Sequence, residues 1–157
     1  MERRQFINKS VLATAAVCTC AIGIDSCTMI SGISNTPVAP ENSYSRSDNE
    51  VVVKLASIPS LAMVGGSVKF SFANDNDKPL KIIIAKTGTD NYCIFADKCT
   101  HGGRELTYNH EDKIMQCTSF GHSKFDMQGN VLGGPAPDAL KMYTFLLKDN
   151  ELHFNLV

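Results

Sequence analysis

The sequence lacks the local patterns that mark many common catalytic and binding domains. It contains no phosphate-binding P-loop, no nucleophile elbow and no dinucleotide fingerprint. Its net charge is −1 at pH 7, so it has no basic footprint for nucleic acid. Internal repeats and long heptads are also absent. These absences argue against nucleotide-dependent enzymes, esterase-type hydrolases and nucleic-acid-binding proteins, and they turn attention to the cysteines and histidines.

Cysteine is scarce outside the N-terminal region. Three of the six cysteines lie before residue 28. Cys93 stands in the apolar run Tyr92-Cys93-Ile94-Phe95, a setting typical of a small buried side chain. Only Cys99 and Cys117 remain, so the sequence shows no obvious structural disulfide.

Each of these two cysteines shares a short segment with a histidine. Residues 99–103 read CTHGG, with His101, and residues 117–123 read CTSFGHS, with His122. Two thiolates and two imidazoles suit tetrahedral zinc, or a [2Fe–2S] cluster with two Cys on one iron and two His on the other. Zinc fingers usually group Cys with Cys and His with His, whereas here each segment has one of each. The spacing therefore favours the cluster over a Cys2His2 zinc site.

The residues around the two segments resemble the ligand loops of Rieske proteins. The first segment continues through Arg104 and Glu105 to Leu106, which is similar to the family pattern C-T-H-x-G-x-x-L. After the second segment come Phe125, a glycine-rich turn and the Gly133-Gly134-Pro135 stretch, in the family's order. The resemblance covers roughly residues 51–157. It implies one Rieske [2Fe–2S] cluster per chain, with Cys99, His101, Cys117 and His122 as its ligands and no catalytic residue.

The second segment departs from the family's usual C-x-x-H-G spacing. Four residues separate Cys117 from His122, and Phe120-Gly121 stands where His-Gly would fall. One interpretation is a local bulge, eased by Gly121, that still lets His122 reach the iron. The other is a lost ligand and a metal-free interaction module, with Phe120 filling the site. We favour the bulge.

The resemblance also bears on redox potential and on bracing of the loops. High-potential relatives donate hydrogen bonds to the cluster from a Ser and a Tyr, and here Ser123 matches the Ser whereas Phe125 replaces the Tyr. Respiratory relatives link the loops by a disulfide, but its positions here are Arg104 and Ser119. The resemblance therefore implies a potential below that of respiratory members and loops held without a covalent brace.

The strand pattern predicts an all-β domain. Short β-branched or alternating runs recur between turn signals such as residues 74–79 and 87–90. Predicted strands cover residues 51–55, 67–72, 80–85, 91–95, 113–116, 123–126 and 152–157. Many short strands indicate a sandwich or barrel, and the resemblance implies the three-sheet antiparallel Rieske fold with both ligand loops at one tip.

The N-terminal region looks like an export signal. Arg3 and Arg4 precede Phe6 in a twin-arginine-like pattern, and the apolar stretch of residues 10–24 is too short to span a bilayer. Ile24-Asp25-Ser26-Cys27 is an imperfect lipobox, so an N-terminal lipid on Cys27 is one alternative. The predicted organisation is a leader (1–27), a flexible linker (28–50) rich in Ser, Asn and Pro, and a Rieske domain (51–157).

The sequence thus predicts a one-electron transfer protein. We expect it to be exported across the bacterial inner membrane, and to be periplasmic or tethered to the membrane facing the periplasm. It would serve as a carrier or electron-transfer subunit for a redox partner protein rather than as a stand-alone enzyme. A Rieske oxygenase needs a separate mononuclear iron domain, for which this chain has no room.

Overall fold

The computed structural model describes residues 34–73 and 79–157, which form β-strands and three single-turn 3-10 helices. The helices are Glu41–Ser43, Leu55–Ser57 and Pro59–Leu61. The strands are β1 (Tyr44–Ser47), β2 (Glu50–Lys54), β3 (Ser67–Phe72), β4 (Leu80–Lys86), β5 (Tyr92–Ala96), β6 (Leu106–Asn109), β7 (Ile114–Cys117), β8 (Lys124–Phe125), β9 (Val131–Gly133), β10 (Met142–Tyr143), β11 (Phe145–Lys148) and β12 (Glu151–Asn155). Within these ranges no helix has the length and apolar character needed to span a bilayer.

The strands form three antiparallel sheets of four strands each. The outer sheet has the order β1-β2-β12-β11, the central sheet β10-β5-β4-β3, and the loop-bearing sheet β6-β7-β8-β9. Strands adjacent in sequence pair through turns, as β6 does with β7 in the register Leu106↔Cys117. This arrangement confirms the predicted all-β, three-sheet fold.

The central sheet is buried on both of its faces. Successive side chains of a strand point to opposite faces, and in β4 Ile82 and Ile84 pack into one core while Ile83 and Ala85 pack into another. The first core fills the space against the outer sheet, with Val51 and other residues of β2 and β12. The second core joins the central sheet to the loop-bearing sheet. Because both faces are covered, β4 reads as a continuous apolar run rather than an alternating one.

The sequence predicts seven strands, and the structure adds five more. These are β1, β6, β9, β10 and β11, which are only two to four residues long. β1 is a mostly polar, largely exposed strand that is held by its pairing with β2 and by the packing of Tyr44 on Phe70 and Phe72. Pairing of this kind is a tertiary effect that propensity alone does not reveal.

The predicted flexible linker, residues 28–50, is ordered over its described part from residue 34 onward. Lys69 N–H donates to the Pro37 carbonyl and Ala39 N–H donates to the Lys69 carbonyl, both at 2.8 Å. β3 is the edge strand of the central sheet, so its outer peptide groups need partners, and residues 37–39 supply them. This contact and strand β1 make residues 34–50 part of the domain. Residues 28–33 and the predicted leader lie outside the described residues.

Two phenylalanines with opposite environments test this description of the core. Phe70 is 2% exposed in the first core, whereas Phe120 is 84% exposed. We expect Phe70→Ala to lower the free energy of unfolding by about 3–5 kcal/mol, because it leaves a cavity. Phe120→Ala should change it by no more than about 0.5 kcal/mol. Urea unfolding followed by far-ultraviolet circular dichroism measures both, and equal losses in the two variants would contradict the assignment.

Candidate metal centre

Two cysteine thiols lie side by side beneath the loops at one end of the second core. Cys99 follows β5 and Cys117 is the last residue of β7. Each is 1% exposed, and both belong to the second core, where the two thiols lie close to each other. The alternation of β7 explains the position of Cys117, since it shares the buried face with Met115 while Gln116 points to the other face. The structure therefore brings together the two predicted thiolate ligands.

Hydrogen-bond donors surround the two sulfur atoms. The backbone N–H of His101 and the hydroxyl of Ser123 lie near the Cys99 sulfur. The Ser119 hydroxyl lies 3.1 Å from the sulfur of Cys117. Burial raises the pKa of the Cys99 thiol, and the N–H of His101 acts against that rise. Donors aimed at sulfur stabilise a thiolate, and around a bound cluster they would favour its reduced state.

The first ligand loop is closed by its own backbone. Cys99 N–H donates to the Arg104 carbonyl at 2.7 Å, and Gly103 N–H donates to the Cys99 carbonyl at 2.8 Å. Gly103 has φ +69°, a left-handed conformation that glycine adopts without a steric penalty. The loop is also tied to the segment that follows β9, since the Thr100 hydroxyl donates to the Asp138 carbonyl at 2.7 Å.

The second ligand loop is closed between Cys117 and Ser123. Cys117 N–H donates to the Ser123 carbonyl at 2.8 Å, and His122 N–H donates to the Ser119 carbonyl at 2.9 Å. A Cβ atom on Gly121 would lie 2.8 Å from Pro135 Cγ, so only glycine permits this approach of the proline-containing loop. The extra residues before His122 are thus taken up in a tight turn packed on Pro135.

The two histidines are exposed, and His122 does not point toward the thiols. Its backbone φ is +42°, and its Nδ1 lies 3.2 Å from Nε2 of Gln116, whose side chain is on the opposite face of β7 from Cys117. His101 is exposed on the first loop. In residues 34–73 and 79–157, no three Cys, His, Asp or Glu side chains surround a single metal position. Of the four predicted ligands, the structure thus brings together the two cysteines, which suit the inner iron of a cluster, and leaves both histidines apart from them.

Other residues considered in the sequence have ordinary structural environments. Phe120 is 84% exposed, so it does not fill the site as the metal-free interpretation required. His110 contacts the Tyr108 hydroxyl through Nδ1 at 2.9 Å. His153 lies between Glu50 and Glu151, at 3.9 and 3.7 Å. These three residues belong to surface contacts rather than to the cysteine pair.

Sequence reasoning missed an ion cluster next to the first ligand loop. The ammonium group of Lys69 lies 3.0 Å from Asp97 Oδ2 and 2.8 Å from Glu105 Oε2, and Lys81 lies 2.6 Å from Glu105 Oε1. Lys69 is nearly buried, at 7% exposure. The alternation of β3 predicts only that Lys69 and Phe70 lie on opposite faces of the sheet. It does not indicate that the loop-bearing sheet covers the face that carries Lys69.

A family comparison agrees with this geometry. The family model for the Rieske [2Fe-2S] domain matches residues 57–144, which include both ligand loops. The chain belongs to the Rieske family. Membership implies a Rieske [2Fe–2S] cluster as the cofactor, and the buried cysteine pair with its N–H and O–H donors fits the iron that such a cluster binds through two thiolates.

Relatives with known names cover part of the chain. Over 74 residues it is 31% identical to cytochrome b6-f complex iron-sulfur subunit 1 of Synechocystis sp., a match of 47% of this chain and 41% of that protein. Over 73 residues it is 33% identical to cytochrome b6-f complex iron-sulfur subunit 2 of Nostoc sp., covering 46% and 40%. The chain thus spans about two fifths of the length of these relatives.

A solved structure supports the fold. The ferredoxin of carbazole 1,9a-dioxygenase from Nocardioides aromaticivorans IC177 superposes with a TM-score of 0.50 and 17% identity. The superposition covers 66% of this chain and 93% of that protein. At this identity the likeness shows a shared fold and nothing finer.

The position of the Ser123 hydroxyl near the Cys99 sulfur predicts a measurable effect on redox potential. Ser123→Ala should lower the reduction potential by tens of millivolts, since a hydrogen bond to a charged group is worth on the order of 1 kcal/mol or more. Ser71→Ala, on the exposed side of β3, is the matched control and should leave the potential unchanged. A redox titration followed by visible absorbance measures both, and an unaltered potential in Ser123→Ala would show that the hydroxyl does not act on the cluster.

Proposed function

We propose that this chain is a one-electron transfer protein whose Rieske [2Fe–2S] cluster is held by Cys99 and Cys117 on one iron and by His101 and His122 on the other. The adjacent, buried thiols of Cys99 and Cys117 are the observation that carries the proposal. When bound, such a cluster supplies reversible one-electron chemistry at a potential set by its ligands and hydrogen bonds.

The chain's own residues have separable roles in this proposal. Cys99 and Cys117 hold the inner iron in a buried setting, and the hydroxyls of Ser119 and Ser123 lie near their sulfurs, where they would donate to the thiolates of a bound cluster. Phe125 is fully buried in the second core and has no hydroxyl to add another donor. Fewer donors mean weaker stabilisation of the reduced state. A potential below that of the respiratory members therefore remains our expectation.

Ligation by His122 requires a change in the second ligand loop. Its imidazole must leave Gln116 and turn toward the face that carries Cys117. The left-handed backbone of His122 costs some energy for a residue other than glycine. A rearrangement of residues 118–122 that relieves this conformation while the imidazole gains a metal bond is therefore reasonable on energetic grounds.

The exposed side of the two loops is where we expect a redox partner protein to dock. His101 and His122 are exposed there, so an electron would have its shortest path out through the imidazoles. Phe120 adds an exposed aromatic ring to the second loop, and Lys98 and Arg104 add positive charge to the first. A partner with an apolar contact surface and acidic residues nearby would match this set.

The proposed location follows from the N-terminal sequence alone. The twin-arginine-like pattern at Arg3 and Arg4 suits a route that exports folded proteins, so a cluster inserted in the cytoplasm would survive export. Lipidation of Cys27 would tether the domain to a membrane facing the periplasm. Mass spectrometry of the mature N-terminus tests the tether, since a mature chain without lipid at Cys27 excludes it.

Histidine replacements test the ligand set. His101→Ala and His122→Ala should each lose the visible absorption of the cluster and most of the bound iron and sulfide, because each removes one ligand of the outer iron. His110→Ala, which removes an exposed imidazole outside the loops, should keep all three. Retention of the absorption and the iron in His122→Ala would show that another group holds the outer iron.

A further inference from the structure

A nearly buried lysine lies beside the first ligand loop. Lys69 is on β3, opposite Ile83 of β4, on the face of the central sheet that the loop-bearing sheet covers. Its side chain is 8% exposed, and the side chain of Asp97 is fully buried. A buried ammonium group is costly unless it is paired, and Asp97 and Glu105 provide that pairing.

The two carboxylates that meet Lys69 stand at the two ends of the first ligand loop. Asp97 lies two residues before Cys99, and Glu105 comes directly after Arg104. Asp97 Oδ1 accepts a hydrogen bond from the backbone N–H of Leu106 at 2.6 Å. Lys69 therefore joins the start and the end of the loop through one ammonium group.

The same contacts extend to the second ligand loop. The carbonyl oxygen of Glu105 accepts from both the N–H and the hydroxyl of Thr118, each at 3.0 Å. Thr118 directly follows Cys117. Glu105 therefore connects the two loops: its side chain pairs with Lys69, and its backbone carbonyl accepts the hydrogen bonds from Thr118.

Within the described residues, no disulfide connects the two ligand loops. Cys93, Cys99 and Cys117 are free thiols there, and Arg104 and Ser119 cannot form a disulfide. The backbone of Lys69 is itself fixed on the outer edge of β3 by its hydrogen bonds with residues 37 and 39. The ammonium group is therefore held on a rigid element rather than on a loop.

We propose that Lys69 is a positioning residue for the metal centre, and that its ion pairs with Asp97 and Glu105 hold the two ligand loops at the separation that the cysteine pair requires. The inference rests on the proposed function, since it concerns ligand loops that hold a cluster. Lys69 touches none of the four proposed ligands; it acts through Glu105 and Asp97 on the segments that carry them.

The test compares variants of the full chain carrying its cluster. Removing Lys69 alone leaves the fully buried carboxylate of Asp97 without its cation, which itself destabilises the fold. The main variant is therefore Lys69→Met with Asp97→Asn and Glu105→Gln, which removes all three charges together. Lys86→Met is the matched control, because it removes another ammonium group from the central sheet whose hydrogen bonds go to Leu61 and Ala62. Lys69→Arg tests rescue by a conserved charge.

The readouts are the half-life of the visible cluster absorption in the presence of an iron chelator and the g values of the reduced protein in electron paramagnetic resonance. The triple variant should keep the far-ultraviolet circular dichroism of a folded domain, lose its cluster about tenfold faster and show shifted g values, since supporting contacts of metal ligands have effects of this size. Lys86→Met should match the wild type, and Lys69→Arg should lie close to it.

Each outcome has a distinct meaning. A triple variant with wild-type half-life and g values overturns the role of Lys69 while leaving the proposed function intact. A wild-type chain that binds neither iron nor sulfide overturns the proposed function, and the role of Lys69 falls with it. If the triple variant does not fold, Glu105→Gln decides, because that side chain is 40% exposed and its replacement is tolerable. A half-life within about twofold of the wild type in Glu105→Gln contradicts the proposal.

Discussion

Burial of the central sheet on both faces is the constraint on which the rest of the structure depends. One face of β4 and β5 packs against the outer sheet, and the other face, with Ile83 and Phe95, packs against the loop-bearing sheet. Cys99 lies three residues after the end of β5 in the central sheet, and Cys117 is the last residue of β7 in the loop-bearing sheet. Packing of these two sheets on each other therefore brings the two thiols together. The cysteine pair is therefore a consequence of sheet packing and not of the loops alone.

Ion pairs and hydrogen bonds, rather than a disulfide, hold the two ligand loops in the described residues. Hydrogen bonds from Lys69 and Lys81 lower the pKa of Glu105 to about 2, so this carboxylate is charged over the whole physiological range. Burial raises the pKa of Asp97, and the ammonium group of Lys69 acts against that rise. The Asp97 carboxylate also accepts the backbone N–H of Leu106, which offsets part of the cost of its burial and orders the chain at the end of the first ligand loop. A centre braced in this way depends on the integrity of a few ion pairs and hydrogen bonds.

Much of this arrangement could be predicted from the sequence, and the exceptions have physical causes. The alternation of Val68, Phe70 and Phe72 and the apolar run of β4 located the core strands, because burial leaves a direct pattern in the sequence. β1 escaped prediction because its mostly polar residues are held by tertiary contacts, namely pairing with β2 and the packing of Tyr44 on the first core. The buried state of Lys69 also escaped, since alternation cannot tell a solvent-facing side of a sheet from one that a second sheet covers.

The site shows the same division between local pattern and tertiary contact. Spacing identified Cys99 and Cys117, and the structure places them together. It could not show that His122 takes a left-handed conformation and contacts Gln116, because that depends on how the turn of residues 119–122 packs on Pro135. The ligand role of His122 therefore stays a prediction, whereas the family and its cofactor are established.

Pulsed electron paramagnetic resonance of the reduced wild-type protein tests the central claim most directly, because it detects nitrogen nuclei bound to the reduced iron. The account predicts couplings from two imidazole nitrogens, one from His101 and one from His122. Couplings from a single nitrogen, or from none, would contradict the two-cysteine, two-histidine centre.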